Sequence, residues 1–295
     1  MKQNVNRFMC GINSFKNLLL SLWTLFKTKK SALISLAFLT VIVTMSVFPQ
    51  FFTRYDAYQI VGDAWTPPSF SNPLGTDDVG RDVWSQIVYG AKVSLIIGLL
   101  SALLATVIGS IVGILSAYYG GLLDQLFSRI VEFFMSIPNF PLMVVLAYIL
   151  KPSLGTVILA IAIGIWTQPA KVIRSEVLSL KERPYIIKAK LIGCSSIRIL
   201  YRYILPRVMP IITAMAIIAI GWAIPSEAFL SWLGLGDITQ VSWGIMLYFA
   251  FGRGSVAAGA WWHFTSPGIL IVLVNIAFMN VGQVIKEMLN PRYRA

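Results

Sequence analysis

The stretch VSLIIGLLSALLATVIGSIVGILSA, Val93 to Ala117, contains no Lys, Arg, Asp or Glu and no period-2 alternation of apolar and polar residues. A helix needs about 20 apolar residues to cross a hydrocarbon layer of about 30 Å. In lipid the backbone polar groups must be satisfied within the segment, so an unbroken run of this kind reads as a helix and not as a barrel strand. Outward from this stretch, comparable runs occur at Ser31–Phe48, Ile130–Leu150, Leu154–Ile173, Ile211–Leu230 and Pro267–Ile285. The 295 residues are 57% apolar and only 12% charged, with a mean hydropathy of +0.76, outside the range of soluble domains. The expected fold is an all-α membrane protein of six transmembrane helices in one domain.

The net charge of +12 is distributed in blocks. Lys2, Arg7, Lys16, Lys27, Lys29 and Lys30 precede the first span, and nine Lys or Arg crowd the region from Lys171 to Arg207. Arg129 borders the third span, and Lys286, Arg292 and Arg294 close the chain. The positive-inside rule places these in the cytoplasm, with both termini, and leaves Arg54, Arg81, Lys92, Lys151 and Arg253 outside. The expected organisation is a cytoplasmic segment 1–30, a first transmembrane helix 31–48, an external loop 49–92, a transmembrane core 93–285 and a cytoplasmic tail 286–295. The core includes a cytoplasmic loop, 174–210. With no small-residue cleavage site after a short apolar core, the first span reads as retained, and the protein as multi-pass in the cell (inner) membrane.

Several function classes lack residues to support them. The cations flank apolar spans and are not interleaved with stacking aromatics, which argues against nucleic acid. Cys10 and Cys194 fall in no metal-ligand spacing. No G-x-x-x-x-G-K-[ST], H-E-x-x-H or G-x-S-x-G occurs, so the chain is expected not to be an enzyme, to bind no cofactor of its own, and to hold no metal. His263, beside Trp261 and Trp262, reads as a residue of the aromatic belt at the outer membrane surface.

Two polar segments carry more information. NPLGTDDVGRD, residues 72–82, lies in the expected external loop, where its Pro, Gly, Asn and Asp suit turns. Its glycines and aspartates are placed to cap the second helix and to contact an external partner. Asp77, Asp78 and Asp82 suggest a cation site, but Asp82 neighbours Arg81 and no full calcium loop is present. The second segment is KERPYIIKAKLIGCSSIRILYRYILPR, Lys181 to Arg207. Pro184 suits a first helical turn and Gly193 a helix end, while Ser195 or Ser196 can cap a second helix that stops at Pro206. The expected element is two short helices with apolar stripes (Ile186, Ile187, Leu191; Ile197, Leu200, Ile204) and cations on the other face. Attachment to anionic lipid would need the charge but not the defined breaks, so a protein partner explains the pattern better.

These segments together resemble the inner-membrane permease subunits of ABC importers, in the family that takes up peptides, opines and nickel. Asn72–Gly98 is similar to the segment that family carries before its second transmembrane helix. The later loop is similar to its ATPase-docking motif at Ala189, Gly193, Leu205 and Pro206. EAFLSWLGLG (Glu227–Gly236), SWGIML (Ser242–Leu247) and NPR (Asn290–Arg292) extend the resemblance over about residues 31–292. Ile187, Lys188 and Ala189 stand where an acidic residue and two small ones are usual, and Tyr203 replaces an Ile.

The resemblance implies a type I ABC importer permease fold and docking through Pro184, Ala189, Gly193, Leu205 and Pro206. It also implies an external signature of Gly75, Asp77, Gly80, Arg81 and Asp82. The implied partners are a second homologous permease in a heterodimer, two cytoplasmic ATPases carrying ATP and Mg, an external substrate-binding protein and the bilayer. Peptides are the implied cargo, with oligosaccharides or a nickel chelate as alternatives. A gradient-driven carrier would show inverted repeats, which are not apparent; a purely structural membrane protein would bind partners and move no solute.

Among ionisable residues in or near the spans, Glu227 is a candidate for either the pathway or pairing with a neighbouring helix. Glu132, one turn inside the third span with Arg129 at i−3, reads as an internal ion pair at the inner interface. Pro138 and Pro141 are expected to kink the third helix, and Gly109 and Gly113 to mark close helix contact.

Overall fold

The computed structural model describes residues 30–289. The expected basic N-terminal segment, with Lys2, Arg7, Lys16, Lys27, Lys29 and Cys10, and the closing Asn290–Arg292 and Arg294 lie outside the described residues. Within them the chain is helical, with only two isolated antiparallel bridges, Ile60 to Arg81 and Thr76 to Asp82. The helices are α1 (Lys30–Val47), α2 (Val83–Tyr119), α3 (Gly121–Ser136), α4 (Asn139–Ile149), α5 (Leu154–Ile165), α6 (Thr167–Lys181), α7 (Pro184–Leu191), α8 (Ser196–Ile199), α9 (Leu205–Trp232), α10 (Trp243–Gly252) and α11 (Trp261–Leu289). A π-helical turn, Leu200–Ile204, joins α8 to α9.

Among the described residues, four stretches are long and apolar enough to cross a membrane, and six if each of two bent pairs is one span. The central one is α2, whose 37 residues make a rod of about 55 Å. It begins at Val83, ten residues before the apolar run, because Asp82 caps it by accepting from the Ser85 amide. The loop expected over 49–92 therefore gives way to helix at residue 83, and the first turns of α2 lie within its expected bounds.

The third and fourth spans differ from straight rods. α3 and α4 meet at 91°, and α5 and α6 at 44°. Pro138 explains the sharper bend: the residue before a proline is driven out of the helical region, and Ile137 has φ −92° and ψ 128°. α4 is only 11 residues, about 16 Å. α3 buries none of its side chains in this chain and exposes Leu122, Leu126 and Phe133.

Packing is organised around α2. It lies against α6, α9, α5 and α1, while α11 packs on α9, α1 and α10. Gly109 and Gly113 face α6 so closely that an added Cβ would come within 2.7 Å of the Trp166 carbonyl and 2.6 Å of the Ala170 carbonyl. Small residues at this spacing let two backbones approach, as their pattern predicts. α6 is further tied to the start of α3 by Arg174, which donates to both carboxylate oxygens of Asp124 at 2.7 Å, and to the end of α2 by Lys181, which donates to the Ala117 carbonyl.

Candidate functional site

Residues 49–82 form a compact cap on one end of the bundle. Gly75 and Gly80 take φ of +66° and +83°, values that favour glycine. Asp77 is fully buried: one oxygen accepts from the Val79 and Arg81 amides, the other from Arg81 Nε (2.7 Å) and Gln86 Nε2 (2.8 Å). Asp82 accepts from Asn72 Nδ2, from the Ser85 amide and from the Ser85 hydroxyl. Arg81 thus pairs with Asp77 rather than with the adjacent Asp82. Among the described residues no three His, Cys, Asp or Glu converge to hold a metal.

The cap is fastened to the bundle at separate points. Trp262 Nε1 donates to the Thr76 carbonyl at 3.0 Å, Arg253 pairs with Asp78, and Tyr58 donates to the Thr239 carbonyl. His263 is buried, hydrogen-bonded to Ser255 and packed on Trp65. Belt positions for His263 and Trp262 are therefore overturned; only Trp261, 59% exposed, faces outward. The reason is tertiary: the cap folds over the start of α11 and covers them. Gly75, Asp77, Gly80 and Asp82 of the signature are buried in the cap, and its outward face carries Phe51, Tyr58, Ile60 and Phe70.

Beneath the cap, Glu227 is completely buried. Its carboxylate accepts from Ser94 of α2 (3.1 Å), Ser231 of α9 (2.8 Å) and Ser242 before α10 (2.8 Å). Ser94 in turn accepts from the Trp243 amide, and Trp243 Nε1 donates to the Ile87 carbonyl. Glu227 thus joins α9 to α2 and to the segment before α10. The short α10, which apolar runs alone do not reveal, is set in this network; SWGIML was its sequence signal.

At the opposite end, α7 and α8 form a projecting knob. Pro184 opens α7, and Gly193, with φ +79°, closes it. The Gly193 amide donates to the Lys190 carbonyl and the Cys194 amide to the Ala189 carbonyl, the paired bonds of a Schellman motif. Ile186, Ala189, Ile199 and Ile204 turn inward against Ala117, Ile173 and Val177. Leu191, Ile192, Ile197 and Tyr201 are 70–81% exposed. The expected stripes are therefore divided: Ile187, Leu191 and Ile197 face out. Pro206 corrects the expectation further, because it starts α9 and does not end a helix. A proline in a first turn removes an amide that has no partner there, and the π-helical turn before it absorbs the change of register.

Glu132 and Arg129 form an ion pair at 3.1 Å, as their spacing predicts, but it is well exposed on α3 in this chain and not internal. A concavity of about 420 Å³ runs between α4, α6, α9 and α11. Phe140, Met143, Met215, Trp222 and Met279 give it soft apolar walls, and Asn139, Gln168, Ser226, Gln283 and Lys286 add polar groups. Glu227 and Glu132 are not among its lining residues. Sequence reading missed the groove; the signal was the amides Gln168 and Gln283 within or beside apolar helices.

Residues 105–295 match the family described as binding-protein-dependent transport system inner membrane component, and residues 18–68 match the N-terminal TM domain of oligopeptide transport permease C. The dipeptide transport system permease protein DppC of Bacillus subtilis is 32% identical over 274 residues, 92% of this chain and 85% of that protein. The oligopeptide transport system permease protein OppC of the same organism is 33% identical, covering 93% and 91%. The probable D,D-dipeptide transport system permease protein DdpC of Escherichia coli is 33% identical, covering 88% and 86%. Among solved structures, an inward-facing MetNI methionine ABC transporter chain matches with a TM-score of 0.55 at 21% identity, over 69% of this chain and 95% of that one. At that identity the likeness concerns the fold.

Proposed function

The chain belongs to the binding-protein-dependent transport system inner membrane components, and from that premise we propose that it forms half of the transmembrane pathway of an ATP-driven peptide importer. Peptide is favoured over oligosaccharide or a nickel chelate because DppC, OppC and DdpC are named for dipeptide or oligopeptide transport. A gradient-driven carrier has no comparable support.

The observation that carries the reading is the knob at Pro184–Tyr201. A soluble partner is needed to cover Leu191, Ile192, Ile197 and Tyr201, and the rigid Schellman turn at Gly193 holds them in one arrangement. In this reading the knob faces the cytoplasm, as its cations require, and seats on an ATPase that carries ATP and Mg. Two ATPases, a second homologous permease and an external binding protein complete the assembly. Closing of the ATPases would move the knob, and α6, tied to α2 and α3 through Lys181 and Arg174, would pass that movement into the bundle. The groove between α4, α6, α9 and α11 is this chain's wall of the pathway. Phe51, Tyr58, Ile60 and Phe70 are the face offered to the binding protein.

The test is purification of the tagged chain with the subunits encoded beside it, with and without Gly193→Asp. Co-purifying ATPase activity that loses its dependence on the binding protein in the mutant supports the assignment. A chain that brings no ATPase with it removes it.

A further inference from the structure

The groove has a chemical asymmetry. Its walls are three methionines, Met143, Met215 and Met279, with Phe140 and Trp222; unbranched thioethers adapt to irregular shapes and impose little selectivity. Three carboxamides, Asn139, Gln168 and Gln283, enter from three different helices, and each offers both a donor and an acceptor, the pair presented by a peptide unit. All three are exposed on the chain surface. Gln283 also donates to Glu287, which does not line the groove.

Among the described residues, Lys286 is the one ionisable side chain that lines the groove. It sits in the last turn of α11, seven residues or about 10 Å beyond Met279, at the end away from the cap. A cation there also suits the helix dipole, but any basic residue in that turn would serve. Its place on the lining of a groove with no carboxylate on its walls gives it a further capacity: a mobile ammonium with three donors, available to a substrate anion.

Resting on the peptide reading, we infer that the groove recognises a peptide by its main chain and its free C-terminal carboxylate, with Lys286 receiving the carboxylate, and leaves side chains largely unread. Lys286 is then a specificity-determining residue of the permease itself, apart from any selection made by the binding protein.

The experiment measures uptake by the complete transporter of one peptide as free acid and as C-terminal amide, in unmutated protein, Lys286→Gln and Lys286→Arg. The acid-to-amide ratio is the readout. It is independent of expression level, and the binding protein is the same throughout. The expected result is a ratio reduced about tenfold in Lys286→Gln, the worth of one charge-assisted hydrogen bond, and kept within about twofold in Lys286→Arg. A ratio equal in Lys286→Gln and the unmutated transporter overturns the inference while leaving peptide import standing. If the unmutated transporter imports neither form, the peptide reading falls, and this inference with it.

Discussion

Ser94 and Glu227 are 133 residues apart in the chain and meet in a buried hydrogen bond of 3.1 Å from the serine hydroxyl to the carboxylate. That bond joins α2 to α9, and through Ser242 and Trp243 it also fixes α10. A buried carboxylate is tolerable only when its lone pairs are taken up, and three serine hydroxyls do so here. Replacing Glu227 by Ala strands three donors and leaves a void, for an expected loss of about 3 kcal/mol. Ser94→Ala should cost about 1 kcal/mol. Thermal unfolding of the detergent-solubilised protein, with the double mutant to complete the cycle, tests this; strictly additive losses would show that the two residues do not act together.

Gly193 is governed by its backbone angle and not by space, since an added Cβ there meets nothing within 4 Å. At φ +79° a side chain costs about 1–2 kcal/mol, and Asn least. Gly193→Val should therefore reduce ATPase coupling more than Gly193→Asn while both insert normally. Equal coupling in the two variants would detach the turn from the docking role.

Gly109 and Gly113 present the opposite case. Here a Cβ would collide with the α6 backbone, so Gly113→Val should lower the yield of folded protein severely, by more than about 3 kcal/mol of stability. Gly155, in open space and without a positive φ, is the control: Gly155→Ala should be neutral or slightly stabilising. Size-exclusion profiles and melting temperatures distinguish them.

On the knob, Leu191→Asp and Tyr201→Asp change exposed residues and should leave melting unaltered within about 0.5 kcal/mol. Both should abolish co-purification of the ATPase subunits. Retention of those subunits by the double variant would relocate the contact.

The cap depends on contacts distant in sequence. Arg253→Gln removes the partner of Asp78, and Trp262→Phe removes the donor to the Thr76 carbonyl. The combined variant should be cut by trypsin in residues 49–82 several times faster than the unmutated protein, while Arg129→Gln, which breaks an exposed pair on α3, should not alter the rate.

What could be read from the sequence was what depends on local chemistry. Apolar length alone specified helices and membrane insertion, because lipid leaves the backbone no other partner. Gly193, Pro184 and the Asp82 cap were legible because backbone angle and an unpaired amide are properties of a few adjacent residues. The spacing of Gly109 and Gly113 announced a close approach, though not that α6 would be the neighbour. Tertiary structure decided which faces met. It buried His263 and Trp262 beneath a cap whose contacts span nearly 190 residues, and made Pro206 the start of a helix. It gave Glu227 its three serines from separate elements and gathered Lys286 and the carboxamides of three helices along one groove. These outcomes turn on how helices are rotated and bent against one another. In lipid that packing rests on close van der Waals fit and hydrogen bonds between helices distant in the chain, so no single segment encodes it.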